Sequence, residues 1–315
     1  MKILLAPMEG VVDWYMRDLL TRIGGYDACV TEFVRVVDKC LPEKVYRRLC
    51  PELGTVAKTA AGTPVVVQLL GGEAAVMAEN AALAAALGAA GIDLNFGCPS
   101  KVVNRNGGGA VLLKEPERIQ QIVAAVRAAV PAPVPVTAKI RLGFDHADDA
   151  LAIARAVEQA GASAIVVHAR TRADGYKAPA RWQMLRPIRE ALTIPVIANG
   201  DINSVEDYRR CLAISGCEDV MIGRGAVGCP DLARQIRRYQ GGQPCQPLAW
   251  VEVAPLVVGL AQQMNRTIED KLVLGRIKQW LVMLKKVYPQ AQRCFDQGRR
   301  LPTLAQMTAL LGQHE

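Results

Sequence analysis

A (β/α)8 TIM barrel followed by a small all-helical C-terminal domain, a helical bundle, is the fold that this 315-residue sequence predicts. Eight short apolar segments rich in β-branched residues recur along residues 1–240, and most are followed by a stretch with helical apolar spacing. A doubly wound open sheet is the competing fold, but it more often has about five to seven strands. Beyond residue 247 the strand signals cease, and only helical patterns follow.

The eight predicted strands can be placed in chain order. They cover residues 3–6, 28–32, 64–69, 92–95, 134–141, 164–168, 194–199 and 219–222. Helices are predicted between them, for example over 74–87, 117–129, 148–160 and 205–214. Predicted helix ends are followed by Gly88, Gly91, Gly161 and Gly216, where a left-handed residue often closes a helix. Strand and helix therefore alternate as a closed parallel barrel requires.

The segment 241–247 (GGQPCQP) has the glycine and proline content of a linker. The sequence thus predicts a catalytic barrel over 1–240, a linker over 241–247 and a helical domain over 248–315. Helices are predicted at 250–264, 270–288 and 303–311, with a further short helix around 291–295.

Charge and cysteine usage limit the compartment and the partners. The net charge of +8 favours a polyanionic partner, nucleic acid first and an anionic membrane second. No apolar segment is long enough to span a bilayer. Nine cysteines without a Cys-x-x-Cys pair indicate a reducing cytoplasm, and three histidines without ligand spacing argue against a metal. We expect a cytoplasmic, monomeric protein.

Polar residues end nearly every predicted strand. In a barrel of this kind, functional groups lie at the carboxyl ends of the strands and on the loops that follow. The predicted ends carry Glu9, Glu32, Gln68, Asn95, Lys139, Arg141, His168, Asn199, Asp201 and Arg224. So many polar groups at equivalent places predict one shared site.

The loops after the last two predicted strands suggest a phosphate site. Glycines at 200, 223 and 225 would let backbone N–H groups approach an anion, and Arg224 could add a bidentate contact. The alternative is that these glycines serve only as turns. Residues 223–228 also match G-x-G-x-x-G, but the chain then enters the linker instead of a second strand that ends in an acid. A dinucleotide-binding fold is therefore rejected.

Three other residues at the predicted mouth are candidates for chemistry. Lys139 could form a Schiff base, stabilise an anionic cofactor ring, or make only a structural ion pair. His168 is either a functional group or a satisfied core residue. Cys98 lies between Gly97 and Pro99 on a loop that can present the thiol, whereas a buried cysteine is the usual alternative. Glycines at 107–109 could let this loop open and close.

Together these residues resemble the tRNA-dihydrouridine synthases, a bacterial flavoenzyme family. The similarity covers the whole predicted barrel, and the ordered set of motifs is far more specific than any single one. It runs through residues 5–11 (LAPMEGV), 31–33 (TEF), 67–69 (VQL), 93–99 (DLNFGCP), 139–141 (KIR), 168–171 (HART), 197–201 (IANGD) and 221–225 (MIGRG). Arg35 and residues 276–281 (RIKQWL) resemble the C subfamily, which is associated with uridine 16 of the D loop.

The resemblance implies bound FMN and external NADPH. It implies that the flavin ring is lined by Pro7, Met8 and Glu9, and that Gln68 forms a hydrogen bond with the ring edge. Lys139 and His168 would lie beside the pyrimidine part of the flavin. The ribityl phosphate would be held by Asn199, Gly200, Asp201, Gly223 and Arg224.

The implied reaction is reduction of uridine to 5,6-dihydrouridine. Hydride from reduced flavin would go to C6, and Cys98 would give a proton to C5, since an ordinary thiol pKa of about 8.5 leaves it protonated at neutral pH. The base must leave the stacked D loop to reach the barrel. The residues expected to contact uracil or tRNA are Arg35, Asn95, Tyr176, Arg276, Lys278 and Arg299.

Two other functions remain open from the sequence. A flavoenzyme for a free pyrimidine, resembling dihydroorotate-type dehydrogenases, would share the barrel and the redox chemistry without needing a basic helical domain. A redox-silent RNA-binding protein on an enzyme-like barrel would leave Cys98 and Lys139 without a role.

Overall fold

The computed structural model describes residues 1–313 and contains a closed parallel barrel. Its strands are β1 (Ile3–Leu5), β2 (Ala28–Val30), β3 (Val34–Arg35), β4 (Val65–Leu70), β5 (Ile92–Asn95), β6 (Val136–Arg141), β7 (Ala164–His168), β8 (Val196–Asn199) and β9 (Asp219–Ile222). β1 pairs with β2 and β9, and the pairing of β2 with β4 closes the ring. The predicted barrel and its eight strands are confirmed. The two-residue β3, which extends the edge of β4, was not predicted because it is too short to show periodicity.

Ten helices accompany the barrel strands within the described residues. They are α1 (Trp14–Ile23), α2 (Glu43–Leu49), α3 (Ala74–Ala86), α4 (Lys101–Arg105), α5 (Pro116–Ala129), α6 (Ala150–Gln159), α7 (Leu185–Ala191), α8 (Val205–Ser215), α9 (Arg224–Gly228) and α10 (Leu232–Gln240). Gly88, Gly161 and Gly216 follow helices with the positive φ that was predicted. The prediction for Gly91 is wrong. Its φ is not positive, and this glycine instead admits a close approach, since a Cβ there would lie 3.1 Å from Pro135 Cγ.

Four further helices follow a non-helical stretch after Gln240. They are α11 (Trp250–Met264), α12 (Asp270–Leu284), α13 (Pro289–Gly298) and α14 (Leu304–Gly312). α12 ends earlier than the predicted 288 because residues 285–287 form a turn. α12 packs on α9, and the buried Trp280 donates from its indole Nε1 to Val227 O at 2.9 Å. The division of the chain at 241–247 into two domains stays a prediction. The last two residues of the predicted helical domain, 314 and 315, lie outside the described residues. No helix within residues 1–313 is long and apolar enough to cross a membrane.

The inner face of the barrel has an apolar part and a polar part. A small apolar cluster, separate from the main core between strands and helices, contains Val30, Val166 and Met221. Nearer the carboxyl ends of the strands, Gln68 is paired in register with Asp93, and Asn95 with Lys139. Directly paired residues on neighbouring strands point to the same face. The polar side chains therefore gather at one end of the barrel interior.

A buried ion pair fixes the segment after α2 to α1. Arg17 is fully buried and donates from Nε and Nη2 to the two carboxylate oxygens of Glu52, at 3.1 and 3.0 Å. Nη2 also donates to Leu49 O at 2.9 Å. A guanidinium without access to water depends on these partners, because an uncompensated buried charge is strongly destabilising.

We predict that Glu52→Gln lowers the free energy of unfolding by about 3 kcal/mol, since it leaves the Arg17 charge buried without its counter-ion. Glu43→Gln is the matched control. It removes an exposed ion pair with Arg47, one turn apart on α2, and should cost no more than about 0.5 kcal/mol. Urea denaturation of both variants measures the difference, and equal losses would contradict the prediction.

Candidate active site

A cavity of about 430 Å³ opens at the carboxyl end of the barrel. This volume is in the usual range for a cofactor or substrate site. Its wall contains Cys98, Asn95, Tyr176 and every residue that the sequence predicted for the cofactor: Pro7, Met8, Glu9, Gln68, Lys139, His168, Asn199, Gly200, Asp201, Gly223 and Arg224. Met283, on α12, also lines it, and no sequence signal pointed to this residue. The structure therefore brings these side chains together, and their binding roles stay predictions.

The electrostatics of the cavity favour an anion. Burial lowers the pKa of Lys139 to about 8, Arg141 acts in the same direction, and Asp93 opposes it. Burial, followed by Lys139, also places the pKa of His168 well below its ordinary value. Arg170 Nη1 lies 3.2 Å from His168 Nε2. Because a guanidinium can only donate, Nε2 accepts, and the proton of the neutral imidazole is on Nδ1.

Glycines form a cradle on one side of the cavity. Gly200 has φ 117°, and a Cβ there would lie 3.0 Å from His168 Cδ2. A Cβ at Gly225 would collide with the carbonyl oxygen of Ile202. Only glycine fits at these two positions, because an added side chain would collide with neighbouring protein atoms. Glycine-containing loops at a cavity wall suit a phosphate group, since their backbone N–H groups can approach it closely.

Asp201 holds the arginines of this cradle in place. Its carboxylate accepts from Arg224 Nη2 at 3.1 Å, from the buried Arg170, and from the Ala180 N–H at 2.8 Å. A second anion beside this carboxylate would be repelled. The expected contribution of Asp201 to anion binding is therefore the orientation of Arg224.

Hydrogen bonds to the Asn95 side chain shape the loop of Cys98. Asn95 Oδ1 accepts from the N–H groups of Gly97 and Cys98, at 2.9 and 3.0 Å, while its Nδ2 donates to Gln68 Oε1 at 2.8 Å. The amide is thus largely used within the protein, which the sequence prediction of a uracil contact did not anticipate. Burial raises the pKa of the Cys98 thiol, and Arg141 opposes this shift. Cys98 is therefore a protonated thiol at neutral pH.

Arg141 and Tyr176 join two loops above the cavity. The buried Arg141 donates from Nε to Gly97 O at 2.7 Å and from Nη1 to Gly175 O at 2.9 Å. The exposed Tyr176 ring lies 5.2 Å from the Arg141 guanidinium and 5.5 Å from that of Arg224. Arg141 is among the polar strand-end residues of the predicted site, but no binding or catalytic role was predicted for it. The sequence feature that indicates its place at the cavity is its position two residues after Lys139, which puts both side chains on the same face of the strand.

Four of the residues predicted to contact tRNA lie outside the cavity wall. Arg276 on α12 donates to Gly10 O at 2.9 Å, to Val11 O and to Asp13, and so fastens α12 to the loop after β1. Lys278 Nζ donates to Arg299 O and Leu301 O, at 3.1 and 2.9 Å. Arg35 and Arg299 have exposed side chains. Contact of these four residues with RNA stays a prediction.

A parallel barrel with a cationic cavity and a protonated thiol at its carboxyl end has the arrangement of a (β/α)8-barrel enzyme. The profile of the family described as dihydrouridine synthase (Dus) matches residues 4–306. The chain belongs to this family, which confirms the resemblance noted in the sequence.

Relatives match over nearly their whole length. A protein of Pseudomonas putida named tRNA-dihydrouridine(16) synthase is 51% identical over 312 residues, which cover 99% of this chain and 97% of that protein. Proteins of the same name from Aquipseudomonas alcaligenes and Salmonella typhimurium are 52% and 51% identical, with 95% and 96% of this chain covered and 95% of each relative.

Solved structures share the fold at low sequence identity. A 2-naphthoyl-CoA reductase complex matches with a TM-score of 0.59 and 11% identity, over 77% of this chain and 50% of the other. An old yellow enzyme homologue from Zymomonas mobilis matches with a TM-score of 0.54 and 13% identity, over 78% and 90%. These similarities support the barrel fold alone.

Gly109 packs directly against the Cys98 loop. It has φ 67°, and a Cβ there would lie 2.9 Å from Val103 Cγ1 and 3.0 Å from Cys98 O. Gly107, two residues earlier, has a similar φ of 70°, but no atom lies within 4 Å of its added Cβ. Substitution at Gly107 therefore imposes backbone strain alone, whereas substitution at Gly109 imposes the same strain and also a steric contact with the Cys98 loop.

We predict that Gly109→Ala raises the rate at which iodoacetamide alkylates Cys98 by about fivefold, because the methyl group displaces the loop outward. Gly107→Ala should change that rate by less than about twofold, although each variant costs about 1 kcal/mol of stability for its positive φ. Peptide mass spectrometry follows the alkylation. Similar rates in the two variants would show that contact with Gly109 does not position Cys98.

Proposed function

We propose that this protein reduces uridine 16 in the D loop of tRNA to 5,6-dihydrouridine, with bound FMN and with NADPH as the reductant. Membership of the dihydrouridine synthase family and the names of full-length relatives support the reaction and the position. The observation that carries the proposal is one cavity that combines the protonated Cys98 thiol with a cationic, glycine-lined wall. We further propose that the protein acts in the cytoplasm as a monomer.

The cavity wall fits a flavin mononucleotide. The Lys139 ammonium and the neutral His168 suit the pyrimidine part of the ring, whose reduced form is anionic. The cradle of Gly200, Gly223 and Gly225, with Arg224 held by Asp201, suits one phosphate group. Met8 and Glu9 lie on the loop after β1, where they would face the ring, and Glu9 is more easily neutralised because burial and Glu32 raise its pKa. When bound, the flavin supplies the hydride that is added to C6 of the uracil.

Cys98 supplies the second hydrogen. Hydride addition at C6 leaves negative charge at C5 and O4, and the thiol gives its proton to C5, which completes the addition of two hydrogens across the C5=C6 bond. A pKa raised by burial keeps this proton in place before the reaction. The hydrogen bonds from Gly97 and Cys98 to Asn95 Oδ1 hold the thiol at the cavity.

The surface above the cavity suits a base taken out of its stack. Tyr176 presents an exposed ring that is flanked by the guanidinium groups of Arg141 and Arg224, a platform on which a flipped uracil can stack. The net charge of +8 favours a polyanionic partner, and the exposed Arg35 and Arg299 would contact phosphates. The α12 residues Arg276 and Lys278, which also bond to backbone carbonyls, would add positive charge to this surface.

The proposal is tested with tRNA from a strain that lacks dihydrouridine. Purified protein with a flavin absorption spectrum, incubated with NADPH and this tRNA, should form dihydrouridine at position 16, and mass spectrometry of nuclease fragments identifies the position. Free uridine should remain unchanged. Reduction at another D-loop position would refute the assignment to uridine 16, equal reduction of free uridine would favour the free-pyrimidine enzyme, and a protein without flavin would favour the redox-silent alternative.

We predict that Cys98→Ala lowers kcat by about 10²–10⁴-fold, the usual contribution of a general acid, and retains flavin absorbance and tRNA affinity. In the wild type, kcat should fall as the pH rises through the raised pKa of Cys98, because a thiolate cannot donate the proton. Cys98→Ala should lack this limb, whereas a separate fall near pH 8, where Lys139 loses its charge, is expected in both proteins. Cys40→Ala is the control, an exposed cysteine outside the cavity wall. Equal turnover of Cys98→Ala and wild type would rule out the acid role.

A further inference from the structure

Asp93 is a buried carboxylate that the proposed chemistry does not use. It lies inside the barrel on β5, is 1% exposed, and is not part of the cavity wall. Its Oδ1 accepts from Thr137 Oγ1 at 2.6 Å, and its Oδ2 accepts from Gln68 Nε2 at 2.7 Å. Burial raises its pKa, while these two hydrogen bonds and the charge of Lys139 favour the ionised form. In the structure both oxygens are placed as hydrogen-bond acceptors.

A directed chain of hydrogen bonds leads from Asp93 to Cys98. Because Gln68 Nε2 faces Asp93, Gln68 Oε1 faces Asn95 and accepts from its Nδ2 at 2.8 Å. Asn95 Oδ1 is thereby turned towards the loop, where it accepts from the N–H groups of Gly97 and Cys98. In each amide the nitrogen donates and the oxygen accepts, so every hydrogen bond of the chain is donated in the direction of Asp93.

The direction of this chain has to be set by something other than shape. A carboxamide has nearly the same shape after its oxygen and nitrogen are exchanged, so packing alone does not choose between the two orientations of Gln68 or Asn95. The Thr137 hydroxyl does not determine the amide orientations either, since it can donate or accept a hydrogen bond. The two ends of the chain do choose, and they agree: the N–H groups of Gly97 and Cys98 can only donate to Asn95 Oδ1, and Asp93 Oδ2 accepts from Gln68 Nε2.

We propose that Asp93 is a positioning residue for Cys98. Its carboxylate holds Gln68 with the oxygen towards Asn95, which matches the orientation that the loop N–H groups impose on Asn95, and the thiol-bearing loop is thereby tied to the buried carboxylate. The proposal rests on the proposed function only in that Cys98 is taken as the proton donor. Asp93 itself acts through Gln68 and Asn95 and touches no reacting atom.

Asn95→Asp is the first test. A carboxylate at 95 can still accept from the N–H groups of Gly97 and Cys98, but it cannot donate to Gln68 Oε1. Gln68 cannot turn its nitrogen towards residue 95, because Asp93 would then face its oxygen. Two acceptors therefore meet, the side chain at 95 turns away, and the loop is released. We expect alkylation of Cys98 by iodoacetamide to rise about tenfold, the usual effect of breaking one hydrogen bond in a buried network.

The exchange variant Asp93→Asn/Asn95→Asp reverses the chain. An asparagine at 93 accepts from Thr137 and donates to Gln68 Oε1, and Gln68 Nε2 donates to the carboxylate at 95. That carboxylate can again accept from Gly97 and Cys98. We expect the alkylation rate to return to within about twofold of wild type, together with the melting temperature, as coupled neighbours do in a double-mutant cycle. Asp93→Asn alone leaves the wild-type direction in place, because the Gly97 and Cys98 N–H groups still face Asn95 Oδ1, so it should raise the rate less than Asn95→Asp does.

Several controls belong to this experiment. Both variants with aspartate at 95 carry the same charge at that position, and Asp93→Asn controls for the carboxylate that the exchange variant lacks at 93. Cys40 and Cys245, which are also not buried, serve as internal references for the reagent. The alkylation needs neither tRNA nor turnover. Failure of wild type to reduce uridine would therefore refute the proposed function and leave this measurement intact.

Two outcomes would overturn the inference. An unchanged rate in Asn95→Asp would mean that Gln68 reorients freely, and an equally raised rate in the exchange variant would mean that Asp93 does not set the direction. If Asn95→Asp has no cooperative unfolding transition, its recovery in the exchange variant supports the proposal, and its continued absence there contradicts it.

Discussion

Polar side chains on the inner face of a closed barrel have little water around them, so each must find its hydrogen-bond partner among its neighbours. At the carboxyl end of this barrel, strand register determines which neighbours are available. Gln68 lies beside Asp93, and Asn95 lies beside Lys139. The same requirement extends to the loops, where Arg141 satisfies carbonyl oxygens of Gly97 and Gly175. The site is therefore shaped by the need to pair groups that the fold has buried.

Most of the fold and much of the cavity wall follow from the sequence. The strands were predictable because they are short apolar runs, several of which follow a helix that ends at a glycine, and the inward residues at their carboxyl ends identify the cavity. β3 was missed because two residues show no period, and Gly91 was misassigned because close packing and a left-handed cap both require glycine. The sequence alone therefore locates elements and strand ends.

Contacts between segments that are distant in the sequence were harder to predict. Nothing near Asp201 in the sequence indicates that its carboxylate pairs with Arg170, and nothing near Met283 indicates that it reaches the cavity. The Asn95 side chain was expected to contact substrate, whereas its oxygen is used by the loop. Residue type identified Asp201 and Asn95 as polar residues at strand ends, but the choice of their partners depends on three-dimensional proximity. The same limit applies to Arg276 and Lys278, whose charges suggested a surface role although their side chains bond to backbone carbonyls.

The contacts of α12 bear on how separable the barrel is from the helices that follow it. Arg276 holds the carbonyl oxygens of Gly10 and Val11, on the loop that also contributes Met8 and Glu9 to the cavity wall. Met283, two turns further along the same helix, completes that wall. A fragment that ended at Gln240 would thus lose Met283 from its cavity wall and the Arg276 contacts to the loop after β1. Swapping the C-terminal helices between relatives would change a residue that lines the cavity along with the outer surface.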